Sequence, residues 1–170
     1  MIQRPLLLAA LLFMPLAARA QAPAKQAQPQ ERQENPVCPW LTAGTAAATL
    51  GAPATTAVTL HGDPDRPEGT CTFTAPQGSI LEVAVTTTPS EPVCPVNSLK
   101  LPAIGNEATF CRLDRSPTET RYVLTSRVRD LFFRTTLSLQ PSNSQPDPKQ
   151  QEAIQHQLER IAEQVAGNLF

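Results

Sequence analysis

The sequence predicts an α+β domain: a mostly antiparallel sheet of about five strands, with a short N-terminal helix and a long C-terminal helix packed on one face, and two disulfides. Three observations lead there. Between Arg121 and Leu139 apolar residues recur at every second position, the period of a strand with one buried face. From Ile154 to Leu169 they recur at spacings of three and four, the period of a helix with one apolar stripe. Four cysteines, an even number, stand in a chain that opens with an export signal, so they most simply pair.

The signal peptide spans residues 1–20. Arg4 lies in its short n-region, an apolar run extends from Pro5 to Ala17, and Ala18-Arg19-Ala20 forms a small-x-small cleavage site before Gln21. An uncleaved anchor is the competing reading, but the run is short of the roughly 20 residues that a bilayer span needs. Gln21 is not Cys, which leaves a lipid no attachment point. The expectation is a secreted or periplasmic protein with no stable membrane span after cleavage. Without Arg4 and Arg19 the chain carries 12 basic and 15 acidic side chains, a net charge of −3. Such a balance gives no electrostatic case for nucleic acid as a partner.

Residues 21–36 are Gln, Ala, Pro and a few charges, with no aromatic or large aliphatic residue. They cannot bury enough apolar area to offset the entropy of ordering, so a disordered leader is expected. Residues 37–170 form a single domain. Thr42 is placed to cap a short helix over Ala43 to Leu50, which Gly51 and Pro53 terminate. Trp40, the only tryptophan, reads as a core anchor beside Cys38, with ligand stacking as the alternative. His61 to Gly69 gathers Asp63, Asp65 and Glu68 among Pro and Gly, and reads as an exposed loop. The start of a calcium loop is suggested by Asp63 and Asp65, but the rest of that pattern is missing.

Thr70 to Thr74 and Ser79 to Thr87 read as a hairpin turning at Pro76-Gln77-Gly78. Prolines at 89, 92, 95 and 102 argue for a crossover loop, with at most a helical turn near Val96 to Leu99. A further strand covers Ala108 to Leu113, and Asp114 to Thr120 connects it onward. Then comes the hairpin of Tyr122 and Leu124 with Leu131, Phe133, Thr135, Leu137 and Leu139. Its turn falls near Arg127 to Asp130, without Gly or Asn to fix the register. Gln140 to Lys149 is loop, and Asp147 or Pro148 starts the last helix, striped with Ile154, Leu158, Ile161, Val165 and Leu169.

Four cysteines allow three pairings. Cys38 with Cys71 ties the first helix to the first predicted strand, and Cys94 with Cys111 ties the proline-rich crossover to the strand after it; this is the preferred pairing. Each closure is worth about 3 to 4 kcal/mol by the chain-entropy argument. There is no CxxC and only two histidines, His61 and His156, so zinc and redox chemistry are not expected.

Cys38-Pro39-Trp40-Leu41-Thr42 runs through the Ala-rich helix to Leu50-Gly51, followed by Cys71-Thr72-Phe73 and Ile104-Gly105-Asn106-Glu107-Ala108. This pattern resembles small secreted envelope proteins best represented among actinobacterial lipoproteins of unknown function. The resemblance covers Cys38 to about Phe170 and implies no catalytic residues. The chain departs from it by lacking a lipid-bearing cysteine and by carrying Cys94 and Cys111 in addition.

No GxSxG, HExxH, phosphate-cradling loop or dinucleotide fingerprint is present, and nothing brings Glu82 and Glu107 together as a carboxylate pair. No cofactor is expected. One pattern points to binding: Arg112, Arg115, Arg121, Arg127, Arg129 and Arg134 fall within 23 residues against Asp114, Glu119 and Asp130. By strand parity Arg121, Arg127 and Arg134 lie on the outer face, a basic, Thr-rich surface for a protein or an anionic envelope component. A merely solubilising face is the plainer reading. The functional expectation is therefore a non-enzymatic extracytoplasmic binding domain. The alternatives are a small-ligand carrier with a pocket between helix and sheet, and a cell-envelope hydrolase.

Overall fold

A computed structural model describes residues 36–89, 94–95, 98–116, 119–140 and 147–170. The expected signal peptide and nearly all of the expected leader lie outside these residues. Among the described residues the elements run α1 (Ala43–Leu50), β1 (Thr55–Asp63), β2 (Arg66–Thr74), β3 (Ile80–Thr86), β4 (Leu99–Leu101), β5 (Glu107–Ser116), β6 (Glu119–Val128), β7 (Leu131–Leu139) and α2 (Pro148–Asn168). The seven strands form one sheet in the order β1-β2-β3-β7-β6-β5-β4. Every pairing is antiparallel. The sheet is two meanders, β1 to β3 and β4 to β7, joined where the last strand of one pairs with the last strand of the other.

Seven strands stand where about five were expected, and the two additions are the sheet's edges. The sequence assigns no element to residues 55–60 and a loop to His61 onward, because β1 shows little of the apolar alternation that a half-buried strand displays. An edge strand with only β2 beside it can leave most of its length exposed, and β1 does. His61 and Asp63 belong to β1 and Glu68 to β2, so the expected acidic loop is a hairpin turning at Pro64-Asp65. Strand β4 is only three residues long, between Pro95 and Pro102, where the prolines argued for loop. Lys100 on it is exposed, a usual way of blunting an edge. Residues 96–97 of the expected helical turn lie outside the described residues, and Leu99 is strand.

Both helices lie on one face of the sheet, as expected. Thr42 caps α1 through its hydroxyl, which accepts from the Thr45 N–H at 3.1 Å, and Gly51 ends it in the left-handed conformation. Two of its last carbonyls are taken by side chains: Gln157 Nε2 donates to Thr49 O at 3.1 Å and Gln77 Nε2 to Leu50 O at 3.0 Å. Asp147 caps α2 by accepting from Gln150 N–H at 2.8 Å, with Pro148 in the first turn. The stripe Ile154, Leu158, Ile161 and Val165 is buried as its spacing predicts, together with Ala162 and Ala166, which let α2 sit close to the sheet. Leu169 is only half-buried.

Trp40 is 1% exposed, which makes it the core anchor that the sequence suggests. Its carbonyl accepts from Asn168 Nδ2 at 2.9 Å, tying the chain ahead of α1 to the end of α2. Both disulfides take the preferred pairing, Cys38–Cys71 and Cys94–Cys111. The β6–β7 turn is the two residues Arg129-Asp130. Arg129 has a φ of 57°, and its N–H is held by Asn106 Oδ1 at 3.0 Å, so a side chain from before β5 supports a turn that has no glycine.

Candidate functional site

Strand parity divides the sheet into two surfaces. Cys71, Phe73, Leu81, Val83, Val85, Tyr122, Leu124, Phe133 and Leu137 point to the helices and are buried. The opposite face is built from cross-strand rows. Leu113, Arg121, Ser138, Ile80, Thr74 and Thr55 form one, Cys111, Val123, Thr136, Glu82 and Thr72 the next, and Thr109, Thr125, Arg134, Ala84, Thr70 and Thr59 a third. Arg127 lies one row further, between Glu107 and Phe132. Arg121, Arg127 and Arg134 therefore share the face away from the helices, the surface that parity assigned them, and threonine is its commonest neighbour.

The face is not simply basic. Arg121 Nε sits 2.5 Å from Glu119 Oε1, Arg127 Nε 3.5 Å from Glu107 Oε1, and Arg134 Nη2 3.8 Å from Glu82 Oε1. Arg127 also lies over the Phe132 ring at 6.0 Å, a cation–π arrangement. All three guanidinium side chains are at least one-third exposed. Pairs in such surroundings contribute only about 0–1 kcal/mol each, so an incoming carboxylate, sulfate or phosphate can exchange for the resident glutamate at little cost.

Arg121 and Arg134 line one cleft of about 220 Å³ together with Glu82, Leu113, Val123 and Thr136. Val123 in it is only 2% exposed although it points away from the helices. Cys111 occupies the same face, so its disulfide holds Cys94 of the β3–β4 connection over β5. The outer face thus carries the cleft and, at β5, the bridge to Cys94.

Other candidates disperse. Glu82 on β3 and Glu107 on β5 have two strands between them, roughly 14 Å in the pairing direction alone, and each faces its own arginine. The Glu68 carboxylate is engaged by Thr87, through its N–H at 2.7 Å and its hydroxyl at 3.1 Å, and the backbone donor holds its pKa below the ordinary value. Asp63 Oδ1 accepts from Asp65 N–H at 3.0 Å, a turn contact. Among the described residues no three His, Cys, Asp or Glu side chains are grouped to hold a metal ion. His156 is exposed on α2, with Nδ1 3.0 Å from Glu159 Oε2. All four cysteines are in disulfides.

Tyr122 carries a polar group that strand parity does not reveal. It is buried on the helix side, its ring 6.3 Å from that of Phe110, and its hydroxyl finds no hydrogen-bond partner among the described residues. Burial pushes its pKa up. The alternation of β6 shows its burial, but not the missing partner. The ion pairs were equally open to reading at one position: Glu119 and Arg121 share a parity two residues apart.

No helix among the described residues is long and apolar enough to cross a membrane. The chain matches no family model, no curated protein and no solved structure.

Proposed function

We propose that the chain is a secreted or periplasmic, non-enzymatic domain that binds a protein or an anionic envelope component through the sheet face opposite its helices. The observation that carries this reading is the convergence of Arg121 and Arg134 on one cleft in that face, with Arg127 on the same surface. Guanidinium groups are planar multidentate donors suited to carboxylate, sulfate and phosphate, and the solvent-accessible glutamates beside them are weak competitors. Two disulfides accord with an oxidising compartment outside the cytoplasm. The space between helix and sheet favours this surface over a ligand-carrying pocket, because Leu158, Ile161, Val165, Leu124 and Leu137 fill it as a packed core.

A charge swap tests the reading without removing the ion pair. Arg134→Glu combined with Glu82→Arg keeps a pair across β3 and β7 and the net charge of the cleft, but exchanges the positions of guanidinium and carboxylate that an incoming anion meets. Binding of the oxidised protein to isolated cell envelope is expected to fall at least about tenfold, with thermal stability little changed. Undiminished binding by a folded double variant contradicts the reading.

A further inference from the structure

The two edges of the sheet are treated differently. At the far edge β4 is three residues long, carries exposed Lys100 and is followed by Pro102. At the near edge β1 is nine residues long, pairs with β2 in unbroken register, and has neither lysine, arginine nor proline between Thr55 and Asp63. Among the described residues no strand lies on its other side. A long edge without lysine, arginine or proline is a template for another strand. Side-chain exposure marks the same place: Leu60 is 46% exposed, and Val58 is only partly buried against the core, both on the helix side of the sheet. Val37, 83% exposed, borders a shelf at the other end of β1 beside Thr55 and Thr56.

The strand is complementary to itself. In an antiparallel pairing about a two-fold axis through Thr59, all nine residues find partners: Thr55 meets Asp63 of the second copy, Thr56 meets Gly62, Ala57 meets His61 and Val58 meets Leu60. The register that gives full overlap is thus the one that lays each copy's Val58 against Leu60 of the other. It also opposes no like charges, since Asp63 faces a threonine and His61 an alanine. Centring on Val58 or on Leu60 instead shortens the overlap and sets one of the two against Thr56 or Gly62. Because paired residues share parity, both copies keep their helices on the same side of the joined sheet.

We infer that β1 is a self-association edge: two copies of this chain pair β1 with β1, joining their seven-stranded sheets into one of fourteen strands. The backbone groups of the free edge supply affinity, and the Val58–Leu60 contacts fix the register. The outer faces of the two copies become one continuous surface.

Sedimentation of the purified oxidised chain over the micromolar range tests this. The expected result is a concentration-dependent dimer, weakened at least about tenfold by Leu60→Lys, which sets a charge among apolar neighbours. Adding Val58→Glu to that variant places opposite charges across both contacts and restores association. Thr59→Cys, exposed at the axis, gives a covalent dimer on oxidation, whereas Thr55→Cys does not, since the two copies of Thr55 lie roughly 27 Å apart. A chain that stays monomeric throughout overturns the inference. So does a dimer that Leu60→Lys leaves intact, or a combined variant that associates no better than the single one.

Discussion

Replacing Cys38 and Cys71 together with alanine is expected to lower the unfolding temperature by on the order of 10–20 °C under oxidising conditions. The bridge closes a separation of 33 residues, which the chain-entropy argument values at about 3–4 kcal/mol, a large share of the margin of a domain this size. Its position adds to that. Cys71 is fully buried on β2, and Cys38 lies two residues before Trp40, so the bridge fastens the segment that delivers Trp40 to the core and starts α1. Freed from it, an eight-residue helix of marginal intrinsic stability depends on Ala46, Leu50 and its side-chain caps. The Cys94–Cys111 bridge spans 17 residues and holds half-buried Cys94 to the outer face, so its double replacement should cost less. Calorimetry of the two double variants decides the order. Equal melting temperatures for the Cys38/Cys71 variant and the parent would sink the account of how the N-terminal segment is held.

The second large effect is expected at Gly69. Its φ is 142°, a conformation that residues with a side chain seldom adopt, and a β-carbon there would stand 2.0 Å from the Thr59 carbonyl oxygen. That oxygen belongs to the backbone of the paired strand, so relief requires β1 to move away from β2. Gly69→Ala is therefore expected to destabilise the fold by about 3 kcal/mol or more, with the damage centred on the β1–β2 hairpin. Gly167 offers the contrast: it lies in α2 with nothing within 4 Å of a built β-carbon, and Gly167→Ala should be neutral or stabilise by up to about 1 kcal/mol. Denaturant melts with amide exchange on both variants provide the check. An unperturbed hairpin in Gly69→Ala contradicts the close approach.

These two sites also show what the sequence makes legible. Helix α2, helix α1 with its Thr42 cap, and strands β3, β6 and β7 each bury one face against a core, and a buried face writes its period into the chain. Strand β1 buries little, so TTAVTLHGD carries no clear period, and Gly62 and Pro64 look like loop punctuation. Its strand character comes from β2, whose nine partners run in register beside it. Strand β4 is too short to show any period.

The candidate site divides in the same way. Parity alone placed Arg121, Arg127 and Arg134 on the outer face. Parity does not reveal strand order, and Glu82 reaches Arg134 only because β3 pairs with β7, more than fifty residues later in the chain. Glu107 meets Arg127 through the β5–β6 register. The cleft was hidden for the same reason, since its lining comes from β3, β5, β6 and β7 at once.

Binding through the outer face is tested most directly by site-directed photocrosslinking of the oxidised protein in its native envelope. A photoreactive residue at Thr136, in the cleft, is compared with one at Glu163, on the exposed side of α2. The account predicts one dominant adduct from Thr136, lost when Arg134→Glu and Glu82→Arg are combined, and none from Glu163. Capture from Glu163 with none from Thr136 would contradict it and move the binding surface to the helical side.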